Sequence, residues 1–407
     1  MPKVKTIIIY GLILILCAAA VAGYFMTKSG EPEAVTAQTA ETAGAEAASA
    51  AGTSANTQNA GENKSAVESG TDTTVSTTAA STGTAAAEAE VSGANGASDK
   101  NALEAHVREV MQKSVAEPDP NPVVGIGRGT DYAAVTEEAV KNAGGIEGIV
   151  KKGDTVVIKP NLCTLAEATD GRITDYRVVQ QVVDMVKALG ASRVIIAEGT
   201  IAGDAFSSIF LRQNKFDTIE GVELVNLNAL NEEDCYELMP EKSMTGKAIF
   251  IPKIYMDADV VIGVAKLKTH FQPDAVVSLT LKNSYGVPPG NIYGLGSKDG
   301  LHALGLKESI VDINKIRKPD FFIIDGIVGG EGYGPLRNSP VDSQIIFAGK
   351  DPVALDTAAA AFMGFTVDEI PHLKLASDEK LGISDLKSIK IVGAELDKIK
   401  MKFEHAY

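Results

Sequence analysis

The residues best suited to chemistry in this sequence follow apolar runs. Val260 to His270 reads VVIGVAKLKTH, a buried-type strand that ends with Lys266, Lys268 and His270 at alternate positions. Side chains alternate across a strand, so these three project from one face if the strand stays extended. Three like charges on one face repel unless something negative lies between them. The spacing therefore predicts an anion site, with Lys266 and Lys268 as binding cations and His270 as a catalytic proton carrier. The competing reading is a basic strand end exposed to water.

Neighbouring strand ends extend the set. Lys159-Pro160-Asn161 follows Thr155–Ile158. Lys159 is either a solvated strand end or an ammonium fixed by the stiff proline after it, facing an anion together with Asn161. Lys282 and Asn283, in SLTLKNSYG, fall on or beside a short helix. There they bind substrate, or the lysine merely complements the helix dipole. The acidic group is Asp325, Glu331, Asp351 and Asp356, with Glu198 further off in sequence. Carboxylates at adjacent strand ends can hold Mg²⁺ or Ca²⁺ through oxygen ligands, or they can pair with the lysines. Asp325, directly after FFII, and Glu331 are the expected metal ligands. Asp351, just before Pro352, reads as a helix cap, and Asp356 as helix surface.

Other chemistries find no support. No C-x-x-C spacing occurs, which argues against an iron–sulfur cluster or a cysteine zinc site. Cys163 and Cys235 are one disulfide or two unrelated thiols. GIVGGEGYGP reads as a loop whose glycines admit a ligand or another backbone. It lacks the spacing of a nucleotide motif, and Glu331 would repel a phosphate there. GVPPGNIYGLGSKDG, from Gly286 to Gly300, reads as a mobile lid or long surface loop. His302 lies just beyond it, a polar surface residue or a further nitrogen ligand. Serine-elbow and H-E-x-x-H patterns do not occur.

What must position these residues is an alternation of two periodicities. Strand-length apolar runs occur at Pro122–Ile126, Thr155–Ile158, Arg193–Ala197, Val222–Val225, Val260–Ala265, Phe321–Ile324, Gln344–Ala348 and Ile389–Val392. Helical patterns lie between several of them, at Tyr132–Ala143, Leu304–Ile316, Pro352–Met363 and most clearly TDYRVVQQVVDMVKALGA, which opens with Thr174 and Asp175 as cap candidates. Strand, helix, strand repeated along a chain predicts an α/β fold with a mainly parallel sheet flanked by helices, in one large globular unit. Ligands then bind beyond the carboxyl ends of the strands.

The rest of the 407-residue chain is different in kind. Lys3 and Lys5 precede the uncharged run Thr6–Met26, long enough as a helix to span a hydrocarbon core of about 30 Å. Residues 1–28 are therefore expected to be a transmembrane signal anchor with its N-terminus in the cytoplasm. Ala20-Val21-Ala22 offers a cleavage site instead, in which case the protein is secreted. Residues 29–100 are mostly Ala, Thr, Ser, Gly and Glu, with two lysines, Lys64 and Lys100, and no aromatic, a composition that predicts a disordered linker. The α/β domain then occupies 101–407, outside the cytoplasm, with the helix-like stretch Leu103–Met111 near its start. The net charge of −15 and the lack of a basic block argue against nucleic acid as a partner.

VVIKPNL, DADVVIGVAKLKTH, SLTLKNSYG, IIDGIVGGEGYGP and GKDPVALD, in that order, resemble the family catalogued as domain of unknown function 362. The resemblance runs from Val123 to Met363. It implies the fold and the site and leaves the reaction open. Some relatives carry ferredoxin-type cysteine clusters that this sequence lacks, so electron transfer is not implied. Two functions fit the residues. One is a metal-assisted enzyme acting on a phosphate- or carboxylate-bearing small molecule. The other is a non-catalytic cell-surface module that binds an anionic envelope polymer or solute.

Overall fold

A computed structural model describes residues 93–406, except 202, 203, 295 and 296. The expected membrane segment and most of the expected linker lie outside the described residues. No helix among the described residues is long and apolar enough to cross a membrane.

The chain builds one mixed, mostly parallel sheet. Its strands are β1 (Val123–Arg128), β2 (Thr155–Lys159), β3 (Arg193–Glu198), β4 (Glu223–Asn226), β7 (Val260–Thr269), β8 (Val277–Ser278), β9 (Phe321–Tyr333), β10 (Arg337–Gly349) and β11 (Lys390–Val392). A separate hairpin pairs β5 (Cys235–Leu238) with β6 (Ile249–Pro252). The main order is β11-β1-β10-β9-β7-β2-β3-β4, with β8 added to the end of β7. β9, β7, β2, β3 and β4 run parallel, and β10 is antiparallel to both of its neighbours. From β2 the chain builds outward through β3 and β4, then returns to place β7 on the other side of β2. That reversal opens a crevice at the carboxyl ends of β2 and β7.

Both faces of the sheet are covered, which is why its central strands read as unbroken apolar runs. One face carries Val156, Ile158, Ile196, Ile262 and Ile323 against helices α2 (Tyr132–Asn142) and α3 (Tyr176–Ala188). The α1 helix precedes them at Gly93–Ser114. The α3 stripe Val178, Val179, Val182, Val183 and Val186 is fully buried, and Asp175 caps the helix by accepting the Arg177 N–H. The other face carries Val157, Ile195, Val261, Phe322 and Phe347. It lies against the helices after α4 (Asp204–Gln213), namely α5 (Leu306–Ile316), α6 (Pro352–Met363) and α7 (Pro371–Asp378). Alternate residues of each strand thus feed two cores. The stretch Leu103–Met111 belongs to α1, whose Val107, Val110 and Met111 pack on the second core. Ser114 at its end bridges to the Ile316 carbonyl and the Lys318 amide.

One loop expectation fails and a second holds only in part. GIVGGEGYGP is mostly strand, the outer half of a long β9–β10 hairpin. Its glycines admit backbone rather than ligand: a Cβ on Gly330 would come within 2.4 Å of the Gly171 carbonyl oxygen. Of the segment expected as a surface lid, residues 287–290 are buried, with the Gly290 N–H donated to Asn228 Oδ1, while 291, 294, 297, 299 and 300 are exposed. Asp351 caps α6 through the Ala354 amide as its position predicts. Cys163 and Cys235 are separate buried thiols.

Candidate functional site

Four lysines reach a cavity of about 270 Å³ in the β2/β7 crevice: Lys159, Lys268, Lys282 and Lys298. Glu198 is the one carboxylate of its lining, and His270, His302, Cys163 and Tyr285 complete the titratable set. A bare cluster of this kind is unstable unless each charge is accounted for. Three of the four lysines are.

Lys159 leaves the end of β2 and spends all three ammonium protons. It donates to the Pro160 carbonyl at 3.0 Å, Glu198 Oε2 at 2.9 Å and Asn283 Oδ1 at 3.2 Å. Glu198, at the end of β3, also accepts the Leu162 and Gly199 amides. Asn283 is held by donating to the Lys159 carbonyl, and Asn161 Nδ2 approaches its Oδ1 at 3.3 Å. Asn161 Oδ1 in turn accepts Lys268 at 2.8 Å, and the Lys268 ammonium also meets the Arg172 carbonyl and Cys163 Sγ. Burial pulls the Lys268 pKa down, against its interaction with Cys163. Lys298 donates to the Gly286 and Pro288 carbonyls at 2.9 and 2.7 Å. Its pKa is lowered to about 7, first by burial. Gly286 is what leaves room for this arrangement, since a Cβ there would sit 2.9 Å from Lys159 Nζ.

Lys282 is the exception. Among the described residues its ammonium makes no hydrogen bond or ion pair; its one partner is the Tyr285 ring, 5.8 Å away. Burial and the charge on Lys268 lower its pKa to about 8. It sits on the one-turn helix Thr280–Asn283, whose N-terminus is fixed from α6. There Asp356 accepts Thr280 N–H at 2.8 Å, Thr280 Oγ1 at 2.6 Å and Leu281 N–H at 3.0 Å. Asp356 is therefore not helix surface but a fully buried cap, its pKa pushed up to about 7 by burial against those hydrogen bonds. Asp356→Ala should cost about 1–3 kcal/mol for each buried donor it leaves unpaired. The loss would be read as a lower urea midpoint at unchanged slope. An unchanged midpoint would refute the capping role.

His270 stands 4% exposed at the end of β7. Its Nδ1 accepts the Gln272 N–H at 3.1 Å, which assigns the ring proton to Nε2. Burial, then the charges on Lys282 and Lys268, drive its pKa far below the usual range, so it is a neutral donor here. Gln272 also reaches His302 Nε2 at 3.4 Å, and His302 Nδ1 lies 2.8 Å from the Tyr285 hydroxyl. From His270 a stack runs outward to Phe271 and then Tyr333, with centroid separations of 5.3 and 5.8 Å.

The expected residues thus divide. Lys159, Asn161, Lys268, His270, Lys282 and Asn283 share the cavity. Lys266 does not line it: its ammonium lies 2.9 Å from Asp325 Oδ2, and both side chains are essentially inaccessible. The cause is register, since Lys266 faces Asp325 across β9 whereas Lys268 faces Gly330. Asp325 Oδ2 also accepts the Asp175 N–H, and its Oδ1 accepts the Ile327 N–H. Glu331 points elsewhere and accepts the Glu404 amide at 2.8 Å. A divalent cation at Asp325 would meet an ammonium already in place, and Glu331 would not join it. The residues present do not fit the expected Mg²⁺ or Ca²⁺ site. No group of three or more His, Cys, Asp or Glu gathers elsewhere among the described residues. Lys298, Tyr285 and Gln272 were not anticipated; they lie in segments without periodicity, where no sequence signal separates them from loop residues.

A larger cleft of about 670 Å³ lies between α1 and the β5–β6 hairpin. Its walls are mainly apolar, and the lysine there, Lys315, is paired with Glu379. It offers no comparable charge arrangement.

Fold and site together define an α/β domain with a lysine-lined pocket at the switch point of a mostly parallel sheet. The chain belongs to the family described as domain of unknown function DUF362, whose model matches residues 156–361. It is similar to a thylakoid-associated protein of Synechocystis sp., at 30% identity over 245 residues, covering 59% of this chain and 72% of that protein. Two solved structures are more distantly similar. One is a protein from Thermotoga maritima, with 11% identity, a TM-score of 0.37, and 62% of this chain matched to 60% of that one. The other is the lactate racemase apoprotein from Thermoanaerobacterium thermosaccharolyticum, with 13% identity, a TM-score of 0.35, and 60% of this chain matched to 58% of that one.

Proposed function

We propose that this domain binds a small anionic molecule, carboxylate- or phosphate-bearing, in the β2/β7 pocket and acts on it as an enzyme. One observation carries the reading: four lysines line the pocket against one carboxylate, Glu198, already engaged by Lys159. In a chain of net charge −15, such a local excess of positive charge is not a by-product of composition. Oxygen atoms of an anion would satisfy Lys282 and accept the His270 Nε2 proton. The Tyr285–His302–Gln272 chain supplies hydroxyl and imidazole protons beside it, which a simple receptor would not require. The expected membrane anchor and linker would hold the domain outside the cytoplasm at a membrane surface. The name of the Synechocystis relative, thylakoid-associated, is in keeping with a membrane location.

Titration with inorganic phosphate and with small mono- and dicarboxylates tests this by melting curve and calorimetry. A ligand at a hundredfold excess over Kd should raise stability by about 2.7 kcal/mol. Lys282→Met should weaken binding by about 1.5–3 kcal/mol, the range for a hydrogen bond to a charged group. Because the Lys282 ammonium makes no hydrogen bond or ion pair among the described residues, that variant should keep its melting temperature. If no anion shifts the wild-type curve, the proposal fails.

A further inference from the structure

We infer that Lys282 is a covalent nucleophile, forming an imine with the carbonyl of a small oxo-acid or oxo-phosphate whose anionic group is held by the other pocket lysines. This deepens the anion-site reading and rests on it. The four amines differ in the acceptors around them. Lys159 and Lys268 each have three acceptors, and Lys298 has two backbone carbonyls, so these three amines are held in place by hydrogen bonds. Lys282 lines the same cavity with no acceptor at all among the described residues. Lys282 is only partly buried, and an ammonium serving the structure alone would still gain from an acceptor on the pocket wall.

Its surroundings favour the free base. Lys268 and Lys159 repel the ammonium, the pocket desolvates it, and His270 beside it is neutral. With a pKa of about 8, it carries on the order of a hundredfold more free base at neutral pH than an ordinary lysine. Desolvation beside other cations is an established way of activating a lysine amine. The one-turn helix that carries it is anchored at Thr280 and Leu281 by Asp356, so the amine is presented from a fixed base. The cavity, about 270 Å³, suits a small molecule rather than a polymer end.

The chemistry balances without a co-reactant. The Lys282 amine adds to the carbonyl carbon, a C–N bond forms, and the carbonyl oxygen takes up a proton to give a carbinolamine. That hydroxyl leaves as water after a second proton transfer, and the nitrogen lone pair closes the C=N bond. Overall, ammonium and carbonyl give iminium and water, with no net change in protons. Tyr285 and His302, 2.8 Å apart in the lining, are placed to pass the protons between nitrogen and oxygen.

The test is reductive trapping. The 407-residue chain is incubated with glyoxylate, pyruvate or dihydroxyacetone phosphate and cyanoborohydride, then analysed by intact mass and peptide mapping. At least one probe should label Lys282 about ten- to a hundredfold faster than the exposed Lys151 and Lys152, in proportion to free base. Lys282→Arg keeps the charge and should lose the adduct; its melting curve establishes that it folds. Lactate and phosphate, which have no ketone or aldehyde carbon, serve as binding controls. Labelling at Lys298 instead, or equal labelling in Lys282→Arg, overturns the inference. If lactate or phosphate binds but no probe labels Lys282, the covalent step is wrong and the anion site stands. If no control binds and no probe labels, both readings fall.

Discussion

Lys266→Met should destabilise the domain by about 3–5 kcal/mol, the cost of stranding one partner of a buried ion pair. The Lys266 and Asp325 side chains are 1% and 0% exposed and their charged atoms lie 2.9 Å apart, so solvent screening does not dilute the effect. After the substitution Asp325 would keep only the Asp175 and Ile327 amides. Those hydrogen bonds do not neutralise a carboxylate in an apolar layer. Asp325→Leu should be costly for the mirror reason, leaving the ammonium without its counter-charge. The double variant Lys266→Met/Asp325→Leu should recover most of the loss, because well-packed apolar replacements of a buried pair are often neutral. The two positions touch, so the single effects will not add. Urea titrations of the four proteins close the cycle. Should Lys266→Met cost less than about 1 kcal/mol, Asp325 has another source of positive charge. A protective effect of Mg²⁺ or Ca²⁺ on that variant would then restore the metal site.

The same pair shows where sequence reading succeeds and where it stops. An apolar strand ending in charge is legible, because burial of a parallel sheet leaves few reasons for Lys159, Lys268 or His270 to follow such a run. The eight apolar runs all became strands, and α3 and α6 begin at their expected caps. Strand alternation places Lys266 and Lys268 side by side but carries no information about the partner strand. On β9 the pairing jumps from Asp325 to Gly330, so one lysine meets a carboxylate and the next meets a glycine. Register is a property of two strands, and only one of them was being read. Asp356 was misjudged for a related reason. Helical spacing alone does not show that its face of α6 meets the N-terminus of another helix. Lys298 and Tyr285 lie in stretches with no period, and only the folded chain brings them to β2.

Acid should unfold this protein early, and His372 should account for a measurable share. On α7 it is fully buried, and neither ring nitrogen makes a well-formed hydrogen bond among the described residues. The Asp274 and Ala275 backbone gives it only marginal contact. Burial first, and then the charge on Lys282, lower its pKa to about 3. In the unfolded chain a histidine titrates near pH 6.5. Between those values the unfolded state holds a proton that the folded state refuses, so stability falls as pH falls, by up to about 1.4 kcal/mol per unit. His270, depressed for the same reason, adds a second proton of the same sign. Asp356 acts in the opposite sense. Its folded pKa is raised to about 7, so its contribution is present at low pH and is lost as pH rises from about 4 to 7. Among these three groups, two histidines against one carboxylate tip the balance towards stability lost in acid below pH 6.5. His372→Leu removes one histidine and should flatten that limb, making the variant more stable relative to wild type with each step towards pH 5. The difference between the two limbs isolates His372 whatever the other groups contribute. Parallel limbs from pH 7 to pH 5 would mean that His372 already carries its proton in the folded state. The buried interior around Lys282 would then have to hold an anion close enough to stabilise both cations.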